Sequence, residues 1–366
     1  MTRFVPAWLL VIASCDASVR LGSIGADTPA VPPADAASSP GRSTNDGATG
    51  NDAEIATSET NIDAAADAND ANDAALTIDA GDGGDVLTLA TNMPGAEWIA
   101  VDATHVTWTT SGRSGAPGDS NGHYVAAKDG SNRVALKTEP GVLRGVVIDG
   151  PNFDSIRWVS PVTLIERATA TQSQSPQIAG ILNHEGFGLA YDDTYLYAAV
   201  TTKVARIEKG AEAGTATPLL ASFAKAVAVV NDGDQLYVAD QGIQRVARVD
   251  KATGDVPWSH DIGGAINDVA THGTRVYFAG GGRAGSVLKT GAGLDAFDLP
   301  GANALAVDAS GIYYLTKTAV LRADLATPSV VETLASGFVS LGRVALDADA
   351  IYFTDSGAGA VHRLLK

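Results

Sequence analysis

Hydrophobic positions along residues 86–366 come as pairs of short runs. A small apolar run ends at a polar turn, and an alternating, aromatic run follows. Residues 344–355, VALDADAIYFTD, show the form. The phrase also stands at 99 (IAVDATHVTWTT), 146 (VVIDGPNFDSIRWVS), 189 (LAYDDTYLYAAV), 227 (VAVVNDGDQLYVAD), 268 (DVATHGTRVYFAG) and 305 (LAVDASGIYYLT). The first run reads as a strand buried on both faces. The second alternates with period two, the mark of a strand with two unlike faces. Tyr197, Tyr237, Tyr277, Tyr313 and Tyr352 lie 40, 40, 36 and 39 residues apart, and Thr107 and Arg157 hold the same place in the first two units.

Between the runs an aspartate recurs as Asp102, Asp149, Asp192, Asp308 and Asp347. Its carboxylate can accept from nearby backbone N–H groups and close the turn. A third run sets an aliphatic residue two before a base: Val204/Arg206, Val246/Arg248, Val287/Lys289, Val320/Arg322 and Val361/Arg363. These bases are expected to face solvent from the outer half of the unit. A fourth, variable run follows, as in PLLAS (218–222) and ETLAS (332–336). Four antiparallel strands repeated about every 40 residues predict a β-propeller blade. Seven such units fill 86–366, so the fold class is all-β, a seven-bladed β-propeller of four-stranded antiparallel blades. The last unit lacks a fourth strand, and VLTLA (86–90) resembles ETLAS and PLLAS. Residues 86–90 are therefore expected beside 361–364, closing the ring and removing its open edges.

Ile351-Tyr352-Phe353-Thr354-Asp355 resembles the YWTD repeat of lipoprotein-receptor propellers. The wider pattern resembles NHL-type and bacterial lipoprotein propellers. The resemblance covers 86–366 and implies a propeller; YWTD proteins usually have six blades, against seven units here.

Upstream of Val86 the composition changes. Residues 1–14 carry Arg3 and then an apolar stretch too short to span a bilayer, the pattern of a signal peptide. It runs into Ile12-Ala13-Ser14-Cys15, which resembles the bacterial lipobox. The resemblance implies cleavage before Cys15, lipidation of that cysteine and an address in the bacterial cell envelope, anchored to a membrane by lipid. Asp16 matches the best-known Gram-negative signal for inner-membrane retention, a rule that differs between lineages. The alternative for an unpaired cysteine is burial in a core, and nothing just after Cys15 supplies one. Residues 15–85 form an acidic linker with no aromatic residue, expected to be disordered because they offer little apolar surface to offset the entropy of ordering. The aspartates of DANDANDAALTIDAGDGGD lack EF-hand spacing and read as a self-repelling tether rather than a calcium site.

The net charge is −17, of which residues 1–85 carry −11. Without basic patches the chain is not a nucleic-acid partner, since such binding rests on Lys and Arg neutralising phosphates.

Propellers take ligands where loops meet the innermost strands. Counting about five residues back from each turn aspartate gives Glu97, Arg144, Phe187, Lys225, Asn267 and Asn303, with Arg343 one place later. This mostly polar ring is a candidate site with cations for an anion; the competing reading is a wet channel rim with no ligand. Two propeller enzymes frame the alternative. Lactonases of the gluconolactonase type hold a divalent metal with Glu, Asn and Asp, for which Glu97, Glu185, Asn267, Asp268 and Asn303 supply the atom types. The virginiamycin-lyase type uses a catalytic histidine, for which His184 is best placed. No nucleophile elbow, zinc-helix motif or phosphate loop occurs. The expectation is a membrane-tethered binding or interaction module for a protein or small molecule. It needs no cofactor, and a divalent metal at the mouth belongs to the enzyme alternative.

Overall fold

The structure is a computed structural model. It describes residues 77–78 and 85–366, apart from 112–120, 139–140, 161, 172–176, 211–213, 216 and 220–221. Cys15 and nearly all of the linker lie outside the described residues.

Seven sheets repeat in chain order, each with four antiparallel strands, giving a seven-bladed β-propeller; Gly214–Thr215 adds a short parallel edge to the second. From the inside outward, blade 1 runs Ala96–Val101, His105–Thr110, Gly122–Ala127 and Val134–Thr138. Inner strands Val142–Asp149, Gly186–Tyr191, Ala226–Asp232, Asp268–His272, Ala304–Asp308 and Leu341–Leu346 begin blades 2 to 7. The buried aromatics of the repeat fill the space between blades. Tyr197, Leu236 and Val238 share one core; Tyr313, Ile351 and Phe353 share another.

The ring closes as the hydrophobic pattern predicts. Val86–Ala90 is the fourth strand of blade 7 and pairs antiparallel with Ala360–Leu365, setting Val86 opposite Leu364 and Thr88 opposite His362. Thr77–Ile78 adds a short antiparallel edge outside Val86–Leu87.

The turn aspartates do more than close turns. Asp192 accepts from the backbone N–H of Thr194 (2.9 Å) and Tyr195 (2.8 Å) and from the Tyr197 hydroxyl (2.8 Å). It also meets Lys251, which follows the third strand of the next blade, at 2.7 Å. The same step to the next blade joins Asp149 to Lys209 at 2.7 Å, and likewise Asp232 to Lys289, Asp308 to Lys366 and, across the closure, Asp347 to Lys128. Among the described residues, five of the seven blade interfaces thus carry one ion pair of the same kind on the face opposite the strand starts.

Two of the third-strand bases depart from the expectation of facing solvent, while Arg322 keeps a side chain 41% exposed. Arg206 donates to the Lys251 carbonyl (3.3 Å) and Arg248 to that of Lys289 (3.1 Å), each reaching the next blade. Blade faces pack against neighbouring blades, so a side chain on either face meets protein before water. Lys289 is not the counterpart of those arginines: Ser286 is the residue opposite Tyr277.

Candidate functional site

The inner strands start on one face around the central channel. Five of the seven carry a register shift there, between Ala96 and Trp98, Arg144 and Val146, Gly186 and Leu189, Ala226 and Ala228, and Leu341 and Val344. A bulge places an extra residue off the ladder and re-aims its side chain. Glu97, Phe187, Val227 and Arg343 occupy such positions, and all four line a cavity of about 860 Å³ at the channel mouth. Two glycines permit the close approach of strands beneath it. A Cβ on Gly145, whose φ is +36°, would meet the Phe187 carbonyl oxygen at 2.4 Å; one on Gly342 would meet Thr354 Oγ1 at 2.6 Å.

Glu97, Arg144, Lys225, Asn267, Asn303 and Arg343 all line this one cavity, as does Phe187. The structure also brings in Trp98, Ser111 and Gln241, which the repeat phase does not mark. His184 is not among the lining residues, and no histidine is.

The YWTD-like residues hold the rim. Asp355 accepts from the N–H groups of Val339, Ser340, Gly357 and Ala358 at 2.9–3.0 Å. Thr354 donates to the Glu97 carbonyl at 3.0 Å and accepts from the Arg343 N–H at 3.1 Å, tying blade 7 to blade 1. In blade 4 Asp240 accepts from the N–H groups of Ala224 (3.1 Å) and Lys225 (2.8 Å), which sets Lys225 at the mouth.

The charges pair across blades. Arg144 meets Glu185 at 2.8 Å and lies over the Phe187 ring at 4.4 Å. Lys225 lies over the same ring at 5.4 Å. Arg343 meets Asp268 at 3.1 Å, donates to the Asn267 carbonyl at 2.8 Å and stacks on Trp98 at 4.1 Å. Burial pushes the Asp268 carboxyl up, outweighing Arg343. Below this pair the channel narrows to a cavity of about 180 Å³ with an apolar wall that includes Ile99, Val146, Leu189 and Leu305.

A line of amides completes the rim. Lys225 Nζ donates to Gln241 Oε1 (2.7 Å), Gln241 Nε2 to Asn267 Oδ1 (2.7 Å) and Asn267 Nδ2 to Asn303 Oδ1 (2.5 Å). Of the five residues whose oxygens a lactonase-type metal would need, four thus turn them to internal partners, and Glu97 accepts from Ser111 on one oxygen. Glu185 and Asp268 hold arginines, and Asn267 and Asn303 accept from neighbouring amides. Among the described residues no three His, Cys, Asp or Glu side chains are placed to hold a metal ion. As arranged, the residues do not fit a divalent cation.

Comparison with solved structures places the fold among propellers. Virginiamycin B lyase from Staphylococcus aureus matches with a TM-score of 0.64 at 13% identity, covering 77% of this chain and 98% of that one. The Myceliophteria thermophila Cps50 (Swd1) propeller matches with a TM-score of 0.60 at 10% identity, covering 75% and 98%. The WD40 propeller domain of Doa1 matches with a TM-score of 0.59 at 11% identity, covering 76% and 94%. At these identities the likeness is one of fold. No protein-family model and no curated relative matches the chain.

Proposed function

We propose that this chain is an exported, lipid-anchored binding module that takes a ligand or partner at the propeller's channel mouth. The observation that carries the reading is the convergence of Glu97, Arg144, Lys225, Asn267, Asn303 and Arg343, from six blades, on one cavity of about 860 Å³. Its polar groups are held in place by pairings between blades, so the site is formed before anything enters it. A preformed pocket loses little entropy on binding. The lipobox-like Ile12-Ala13-Ser14-Cys15 supports the anchor, and the acidic stretch after it supports a tether holding the propeller off the membrane.

The neighbours in fold include both WD40 modules and a lyase, and fold does not choose between them. The mouth favours binding over catalysis, because its lining has no histidine and the carboxylates of Glu185 and Asp268 are held by arginines. The test is a thermal-shift screen of the full chain against metabolites, run beside an Arg144→Met/Lys225→Met variant. Hits that stabilise the wild type and not the variant support the site. Hits that are indifferent to both substitutions, or turnover of a lactone with a stoichiometric metal, overturn the reading.

A further inference from the structure

A lysine ammonium can only donate hydrogen bonds, and this fixes the direction of the amide line at the mouth. Lys225 Nζ lies 2.7 Å from Gln241, so the oxygen of Gln241 must face it and the NH₂ of Gln241 must face Asn267. Asn267 then accepts on its oxygen and donates to Asn303 Oδ1 at 2.5 Å. The line therefore ends on the Asn303 NH₂, which meets no protein acceptor among the described residues.

The remaining groups lean the same way. Arg144 and Arg343 consume the carboxylates of Glu185 and Asp268. The Trp98 indole N–H, at the wall shared by mouth and channel, is buried without an acceptor. What the mouth has to spare on this side is donors: the Asn303 NH₂, the Trp98 N–H and the further N–H bonds of Lys225. Glu97, on blade 1 and bonded to Ser111 at 2.9 Å, is the one carboxylate of the lining among the described residues. Beside the Phe187 ring the Lys225 charge is less well screened than in water, and charge-assisted hydrogen bonds are the stronger kind.

We infer that the mouth binds a small organic anion, its carboxylate or phosphate head group held by Lys225 on a rim whose far end presents the Asn303 NH₂, and its carbon frame on the apolar lining. This rests on the reading of the mouth as the binding site. The test titrates the full chain calorimetrically with four probes that share a phenyl ring: benzoate, phenyl phosphate, benzamide and benzylamine. Benzoate or phenyl phosphate should bind, the tighter one naming the head group. The neutral and cationic probes should be weaker by about tenfold or more, the loss of at least one charge-assisted bond.

Asn303→Asp replaces the terminal donor with an oxyanion and should weaken the anion by a similar factor. Gln241→Glu should do so as well, since a carboxylate at 241 accepts from both neighbours, turns Asn267 and Asn303 around and offsets Lys225. Thermal unfolding checks that each variant is folded, and Lys225→Met carries the test if Asn303→Asp is not. Benzamide or benzylamine binding as tightly as benzoate, and lost in Asn303→Asp, would keep the mouth as a site and overturn the anion. Anion binding unchanged in both Asn303→Asp and Lys225→Met would overturn the mouth. Absence of binding by all four probes at millimolar concentration would overturn the inference.

Discussion

Lys251 of blade 4 holds Asp192 of blade 3 at 2.7 Å, and the same carboxylate caps two N–H groups of its own turn and accepts from the Tyr197 hydroxyl. One aspartate thus joins a turn, a core tyrosine and the neighbouring blade. Burial works against its charge, but Lys251, the two N–H groups and Tyr197 bring the carboxyl well below the usual range. Asp192→Ala should cost about 2–3 kcal/mol, because the turn donors and the tyrosine lose their acceptor together. Lys251→Met should cost about 0.5–1 kcal/mol, since it removes one partly exposed ion pair and keeps the alkyl stem. Denaturant unfolding of the two variants measures both, and equal costs would contradict the aspartate's central role.

Across the channel, Arg343 of blade 7 and Asp268 of blade 5 form a pair that is largely shielded from water. Arg343→Met leaves the Asp268 carboxylate buried without a counter-charge, at a cost of about 3–5 kcal/mol. Adding Asp268→Asn to that variant should recover part of the loss, because the buried charge goes while one side-chain oxygen stays for the Val269 and Leu305 N–H groups that Asp268 also caps. Chemical unfolding of the single and double variants gives the comparison; a double variant no better than Arg343→Met alone would mean that the arginine acts through Trp98 instead.

His123 and His362 are buried beside the hydroxyls of Thr107 (2.9 Å) and Thr88 (3.2 Å). Burial brings His123 down to about 3 and His362 to about 4, from an ordinary value of 6.5. Between 6.5 and those values the unfolded chain binds two protons that the folded chain refuses. The stability is complete above pH 6.5 and is lost as pH falls through this window, by about 1.4 kcal/mol per pH unit for each histidine. Replacing both with glutamine should flatten the melting temperature between pH 7 and pH 4. Below that range the carboxylates take over: Asp347, pushed up by partial burial but held by Lys128, two N–H groups and Tyr352, is down at about 2.

Cys15→Ser removes the sulfur on which the proposed anchor depends. The variant should move from the membrane fraction to the soluble fraction with an unchanged propeller melting temperature. Retention in the membrane fraction equal to that of the wild type would remove the anchor from the proposal.

The blades were legible because each unit repeats its own geometry. Tyr197, Tyr237, Tyr313 and Tyr352 occupy the same strand position and are all buried, so their spacing counts blades. The mouth residues were legible for the same reason: each lies near the start of an inner strand, four to seven residues before the turn. Gln241 and Ser111 come from loops after second strands, which have no fixed phase against that turn. The partner of Asp192 lies 59 residues further on, in the next unit, so alignment within units cannot reveal it. Lys289 misleads because Val287 precedes it by two, as Val204 precedes Arg206; only the strand register shows that Ser286 faces Tyr277.

The closing strand has a consequence for the order of folding. Thr88 and His362 meet across 274 residues of chain, whereas most other strand pairs join near neighbours in sequence. Bringing such distant segments together costs about 5 kcal/mol of chain entropy, and contacts of this span form slowly. Synthesis from the N-terminus lays down residues 86–90 first and their partner, Ala360–Leu365, last. The apolar VLTLA segment waits unpaired while every other blade is made. A chain cut short before Ala360 keeps that segment as an open edge, ready to pair with another copy.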